Sequence, residues 1–195
     1  MKTSPYCTIG PFFPGDFVTG CQDLTSFQGK RARGQHIVLA GRVFEEGNRP
    51  IHNAIVEIWQ PDANGVFRHP LDPRFGDVDP GFYGWGRART DAQGHYAFET
   101  VMPGVSNGYA GDGPRSPHLN LMVLAIGLTR RLVTTVFFAE TPDSVRDPVL
   151  DCVADPAARA RMLAHRQPDE NGAVTPIYRY DIVTRGESET PFFVD

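Results

Sequence analysis

From residue 36 onward the chain alternates short apolar runs with polar, glycine- and proline-rich turns, and most of the runs repeat with a period of two. Residues 36–44 (HIVLAGRVF) read as a strand ending in a polar turn at 45–50. In residues 53–60 (NAIVEIWQ), Ala54, Val56 and Ile58 alternate with Ile55, Glu57 and Trp59, so both faces are largely apolar, as in a strand held between layers. Asn64-Gly65 then closes a turn, because this pair readily takes positive φ. Residues 90–100 predict a turn into a strand, and 118–126 and 131–138 predict two strands with a short connection. In residues 177–183, Tyr178, Tyr180 and Ile182 alternate with Arg179 and Asp181 as a half-buried strand.

Two long loops interrupt this pattern. Residues 67–86 carry Pro70, Pro73 and Pro80 and read as a folded-back loop, and residues 103–117 read as a second one. Loops of this length inside a compact domain are usually functional or interface-forming. One helix is predicted, over 155–166, with Asp155 as N-cap, Pro156 at the first helical position and an alanine-rich interior. Residues 1–35, broken by Pro5, Gly10, Pro11, Pro14, Gly15 and Gly20, form an arm, and the aromatics of the closing TPFF segment are expected to pack back on the body. The expected fold is an all-β β-sandwich spanning 36–195, with long loops, an N-terminal arm (1–35) and one short helix.

Composition narrows the function classes. With 195 residues one domain suffices, and a net charge of −4 with 19 Lys and Arg and no basic run argues against a nucleic-acid partner. No stretch approaches the ~20 apolar residues that span a bilayer, and no leader pattern opens the chain. Cys7, Cys21 and Cys152 form no C-x-x-C and are odd in number, which argues against a disulfide framework. A soluble cytoplasmic protein without a membrane partner is expected.

Nucleophile elbow, phosphate loop, zinc pattern and dinucleotide fingerprint are all missing, and the GWGR segment at 84–87 has no βαβ unit around it. The histidines at 36, 52, 69, 95, 118 and 165 include no pair at i, i+2 or i+4, so no single element offers a compact imidazole site. His118 is followed two positions later by Asn120, where H-x-H would aim two imidazoles at one point. An amide is a poor transition-metal donor, so this is either an ordinary strand or a metal site that has lost its ligands. His69 and His118 can meet in space from the two loop regions, but read first as hydrogen-bonded structural histidines. Arg115 reads as a solvated loop residue ahead of an anion-binding one, and Trp59 and Trp85 as core anchors.

Six segments in order, TIGPFF (8–13), LAGRVF (39–44), AIVEIWQPDANG (54–65), FYGWGRARTDAQGHYAFETVMPG (82–104), PHLN (117–120) and YRYDIVTRGESETPFF (178–193), resemble the intradiol ring-cleaving dioxygenases, in their protocatechuate-cleaving branch. The resemblance implies a β-sandwich that holds a non-haem Fe(III) with two tyrosines and two histidines and inserts O₂ between the hydroxyl-bearing carbons of a catechol. On this chain the first tyrosine position falls on Phe67, the second on Val105 or Ser106, and the histidine pair on His118 and Asn120. Three of the four donors are replaced, and Tyr109 does not restore the set by spacing.

The pattern therefore resembles the α-type subunit of that branch, which carries no iron and pairs with a homologous iron-bearing β subunit in a higher-order hetero-oligomer. The resemblance further implies that Thr8, Gly10, Pro11 and Phe12 line the partner's substrate pocket. Where the family places a basic residue after PHLN this chain has Ile126, which cannot pair with a substrate carboxylate, and Arg130 or Arg131 is the nearest compensation. Two other readings stay open: a sandwich that has become a binding module, and a self-sufficient dioxygenase in which Tyr83 or Tyr109 joins His69 and His118.

Overall fold

The computed structural model describes residues 15–107, 113–141, 147–168 and 175–193. A small hairpin, β1 (Ser26–Phe27) and β2 (Lys30–Arg31), precedes the long β3 (His36–Glu45), the short β4 (Arg49–Pro50) and β5 (Ile55–Trp59). β6 (Trp85–Arg89) and β7 (His95–Val101) come after the first long loop, β8 (Ser106–Asn107) and β9 (Pro114–Arg115) form a second small hairpin, and β10 (His118–Leu124) and β11 (Leu132–Phe138) come next. Helices α1 (Pro148–Cys152) and α2 (Pro156–Ala160) lead to β12 (Leu163–Arg166), β13 (Ile177–Arg179) and β14 (Ile182–Val183).

Ten of these strands share one hydrogen-bonded path, β14-β3-β13-β12-β11-β10-β5-β6, with β4 and β7 also on β3. The fold is all-β, and its layers are one curled sheet, so the ladder runs without a break from one layer into the other. The alternation read from the sequence sets the inner face: Ile37, Leu39 and Val43 of β3, Val56 and Ile58 of β5, and Leu119, Leu121 and Val123 of β10 are all buried. Each such side chain contributes about 1.5–3 kcal/mol relative to exposure. The described part of the arm lies along this body: Leu24 N–H donates to Glu99 O at 2.8 Å, Arg87 N–H to Cys21 O at 2.9 Å, and Leu24 and Ala32 join the core.

Four expectations change here. Residues 163–166 are not the end of a helix but strand β12, parallel to β11 and antiparallel to β13. Asp155 does cap α2, accepting from Ala157 and Ala158 N–H, but five residues are far below the ~12 a helix needs on its own, and the open edge of β11 recruits the next segment as a strand. A second helix, α1, carries the same Asp-Pro start at Asp147 and Pro148. The loop predicted over 67–86 ends two residues early, because Trp85 and Gly86 pair with Trp59 and Ile58 as the start of β6.

The strand predicted over 177–183 is broken at Tyr180 and Asp181. Asp181 Oδ1 accepts from Arg42 N–H at 3.0 Å, so a side chain stands in for the ladder there. Phe192 packs against the core and Phe193 bridges to Val133. Cys21 and Cys152 are free thiols, and Cys7 lies outside the described residues.

Candidate functional site

Ladder register brings the candidate residues to one place. Asn120 of β10 pairs with Trp59 of β5 and with Thr135 of β11, and His118 pairs with Phe137. Directly paired residues project to the same side of a sheet. The core face of β10 is taken by Leu119, Leu121 and Val123, so His118 and Asn120 share the other face, over a cavity of about 350 Å³ that they line with Trp59, Phe67, Ser106 and Arg115. A longer groove of about 770 Å³ runs over β3 and β7 and contains none of these residues.

Phe67 is aimed by the loop that precedes it. Asp62, 1% exposed, accepts from Asn64 and Val66 N–H with Oδ1 and from Asp79 N–H with Oδ2 at 2.8 Å. Phe67 N–H then donates to Asp72 Oδ2 at 2.8 Å, and the Arg68 guanidinium turns the other way, to the carbonyls of Phe82 and Asp79. The Phe67 ring stacks on Trp59 with centroids 6.1 Å apart and meets the His118 ring at 6.2 Å. Gly65 supports this approach: its φ is +76°, and a Cβ there would lie 1.8 Å from Val105 O.

His118 is 2% exposed, and its Nδ1–H donates to Ser116 O at 2.6 Å. Burial first, and then the charge of Arg115, lower its pKa to about 4, so the imidazole is neutral and its Nε2 carries the lone pair. Asn120 Oδ1 accepts from Thr135 Oγ1 at 3.2 Å. His69 is exposed at the rim of the same cavity, its Nδ1 accepting from Leu71 N–H at 3.2 Å.

Of the two alternatives for the second tyrosine position, Ser106 lines the cavity, whereas Val105 is 43% exposed and does not. Arg115 is not a solvated loop residue: its Nε donates to Asp147 Oδ2 at 2.8 Å, and the Asp147 side chain is fully buried. Neither tryptophan is a core anchor, because the β5 alternation sends Val56 and Ile58 inward. Trp59 becomes a half-buried cavity wall, and Trp85 lies half-buried among Tyr83 and Arg87.

Tyr83 stacks on Phe27 at 4.9 Å and does not line the cavity, so it brings no phenol to His118. Ile126 is 51% exposed on the turn after β10, not on the strand itself. Thr8, Gly10, Pro11, Phe12 and Tyr109 lie outside the described residues. Asp147 is a site residue that sequence reasoning missed, although its Asp-Pro step is the same helix-start signature recognised at Asp155.

The described cavity residues do not fit ferric iron. They offer one buried imidazole, His118, a second on exposed His69 at the rim, the amides of Asn107 and Asn120, one hydroxyl and a phenyl ring but no phenolate, while both oxygens of Asp72 are already taken by the N–H groups of Phe67 and Arg74. Among the described residues no three His, Cys, Asp or Glu side chains cluster to hold a metal ion.

A family model described as dioxygenase matches residues 9–186. The protocatechuate 3,4-dioxygenase β chain of Burkholderia cepacia is 37% identical over 161 residues, 81% of this chain and 68% of that one. The chain belongs to the intradiol dioxygenase family. Other members are similar from the α side: the protocatechuate 3,4-dioxygenase α chain of Pseudomonas putida is 34% identical over 83% of this chain and 77% of its own. The α chain of Burkholderia cepacia is 32% identical over 99% of this chain and 98% of its own.

Among solved structures, the intradiol ring-cleavage dioxygenase of Tetranychus urticae superposes with a TM-score of 0.58 at 19% identity, covering 98% of this chain and all of that one. The 3-chlorocatechol 1,2-dioxygenase of Rhodococcus opacus gives 0.63 at 17% identity over 85% of this chain and 65% of that one. At such identities the likeness concerns the fold, and it is the intradiol dioxygenase fold. Among the described residues no helix is long and apolar enough to cross a membrane.

Proposed function

We propose that this chain is the iron-free, α-type subunit of a heteromeric protocatechuate 3,4-dioxygenase. The assembly cleaves 3,4-dihydroxybenzoate with O₂, between its hydroxyl-bearing carbons, to 3-carboxy-cis,cis-muconate. In this reading a homologous β subunit carries Fe(III) and the bond-breaking chemistry, and this chain supports assembly and the shape of the partner's pocket in a cytoplasmic hetero-oligomer. Thr8, Gly10, Pro11 and Phe12, together with Ile126, are then the residues that reach the partner's substrate.

One observation carries the reading: Phe67, Ser106 and Asn120 stand where the family's phenolate and imidazole donors are expected, and they meet His118 over one cavity. The extent of the match to the Burkholderia cepacia α chain supports it, since that alignment runs over 98% of the relative. Similarity to a β chain at 37% does not count against the reading, because the two types are themselves homologous in it, and the donor set favours the α type.

The test is iron analysis and a visible spectrum on this chain purified alone, and again after co-expression with a homologue that keeps two tyrosines and two histidines at these positions. Colourless protein alone and a coloured, protocatechuate-cleaving complex together are expected. Stoichiometric iron in the lone chain would overturn the assignment, and so would failure of the two chains to associate.

A further inference from the structure

Two side-chain donors on residues that line the same cavity have nothing to bond among the described residues. Ser106 Oγ and Arg115 Nη2 are both buried without a hydrogen-bond partner there, and Ser106 is 1% exposed. They are not independent: Ser106 of β8 and Arg115 of β9 are direct partners in the small antiparallel ladder, so their side chains leave it on the same side. A buried unsatisfied donor costs about 1–3 kcal/mol, more for a charged one, and the loss is recovered when an acceptor arrives.

One edge of the guanidinium is already held. Arg115 Nε donates to Asp147 Oδ2, which also accepts from Ser116 N–H, while Oδ1 accepts from Val149 N–H, so the pair anchors the fork beside the cavity. The other charged groups around the cavity are Asp72, whose oxygens accept from the N–H groups of Phe67 and Arg74, and Arg74, whose side chain binds the carbonyls of Asn64 and Gly65. Arg115 and Arg74 balance Asp147 and Asp72, so the unpaired donors, Ser106 Oγ and Arg115 Nη2 on residues of the cavity wall and Arg74 Nε nearby, decide what charge is welcome.

The remaining wall is mixed, with His69, Asp72, Asn107, His118 and Asn120 beside an aromatic and apolar part. Trp59 and Phe67 lie within 23° of parallel, and Leu71, 66% exposed, and Pro73 stand at the same opening. A cavity of about 350 Å³ is sized for one substituted ring. We propose that it is a metal-free binding site for a small planar aromatic carboxylate, whose oxygens accept from Arg115 Nη2 and Ser106 Oγ while its ring lies against Trp59 and Phe67. This goes beyond the subunit assignment: it gives the chain a ligand of its own, whichever partner it has.

The full-length chain supplies its own reporter, because it has two tryptophans and Trp85→Phe leaves only Trp59, on the cavity wall. Titration of that variant with benzoate, with a chelator present throughout, is expected to change Trp59 emission saturably, with a dissociation constant of about 1 mM as suits so small a ligand. Adding Arg115→Gln or Ser106→Val should weaken binding by roughly tenfold or more, the loss of one buried or charged hydrogen bond. Acetate, which lacks the ring, should not compete.

No saturable response to benzoate would overturn the proposal. Equal affinity in a folded Ser106→Val variant would overturn it even if Arg115→Gln does not fold, and equal competition by acetate or inorganic phosphate would overturn the aromatic part. A response seen only when the chelator is left out would overturn its metal-free part.

Discussion

The rings of Phe67 and His118 lie with centroids 6.2 Å apart, and Phe137 meets the same imidazole at 5.9 Å. An imidazole held between two phenyl rings is a packed side chain, and under the proposed assignment Phe67 takes the place of a phenolate ligand. Because Phe67, Ser106 and Asn120 all line the cavity with His118, the change should be reversible. Phe67→Tyr, Ser106→Tyr and Asn120→His together should bind ferric iron and colour the protein through tyrosinate absorption. The single variants should stay colourless. A folded triple variant that takes up no iron, by metal analysis and visible spectrum, would show that these positions are not the ancestral ligands.

The Arg115–Asp147 pair ties the cavity to α1. Asp147 accepts from Arg115 Nε, Ser116 N–H and, as helix cap, Val149 N–H, with no exposure of its side chain. Removing one partner of a buried pair typically costs about 3–5 kcal/mol, because the other charge is left unpaired. Arg115→Met, which strands the fully buried Asp147 carboxylate, should therefore lower stability by at least ~3 kcal/mol in urea unfolding; Asp147→Ala strands a cation that keeps 18% exposure, so its charge penalty is smaller, although it also removes the Val149 cap and the Ser116 bond. Equal, small losses in both would mean that water already screens the pair.

The strands that the period-two pattern predicts at 36–44, 118–126 and 131–138 are close to β3, β10 and β11, because there the alternation coincides with a buried face. His118 and Asn120 share one face as their i, i+2 spacing predicts, since strand geometry alone puts them there. What local reasoning missed was set by tertiary partners. Residues 163–166 have helix propensity, but Met162 and Ala164 are fully buried where β12 joins β11 and β13. Trp59 looks like a core residue by size alone, and only the register with Asn120 shows that it walls a cavity. Arg115 is separated from Asp147 by a long stretch of chain, and no local pattern announces a long-range ion pair.

Gly65 and Gly47 offer a matched test of the close approach under Phe67. Both have φ of +76°, so an alanine at either incurs the same backbone strain, about 1 kcal/mol. At Gly47 a Cβ meets nothing within 4 Å, whereas at Gly65 it would lie 1.8 Å from Val105 O and 3.0 Å from Ser106 N. Gly65→Ala should thus be clearly the more destabilising in thermal melts, by an extra ~1–3 kcal/mol from overpacking. Equal melting temperatures would mean that the 105–106 segment yields freely.

His118 sets the last expectation, a pH dependence whose sign is fixed by burial. Its folded pKa is lowered to about 4, against 6.5 for the unfolded chain, first because burial disfavours the charged ring and then because Arg115 is cationic. Between those two values the unfolded state binds the extra proton, so stability must fall as the pH drops. The neutral ring's contribution is complete above about pH 6.5 and exhausted near pH 4, on the order of 3 kcal/mol in all. Carboxylates titrate at the lower end of this window, so the informative quantity is the difference between two chains with the same carboxylates. His118→Gln keeps an N–H that can face Ser116 O and has no titrating group. Its urea-unfolding free energy should decline less steeply from pH 6.5 to 4 than that of the parent chain. Arg115→Gln should narrow the window from its acid side, because removing the neighbouring cation lets the folded pKa rise. Identical slopes for the parent and His118→Gln would mean that His118 is not buried as a neutral imidazole.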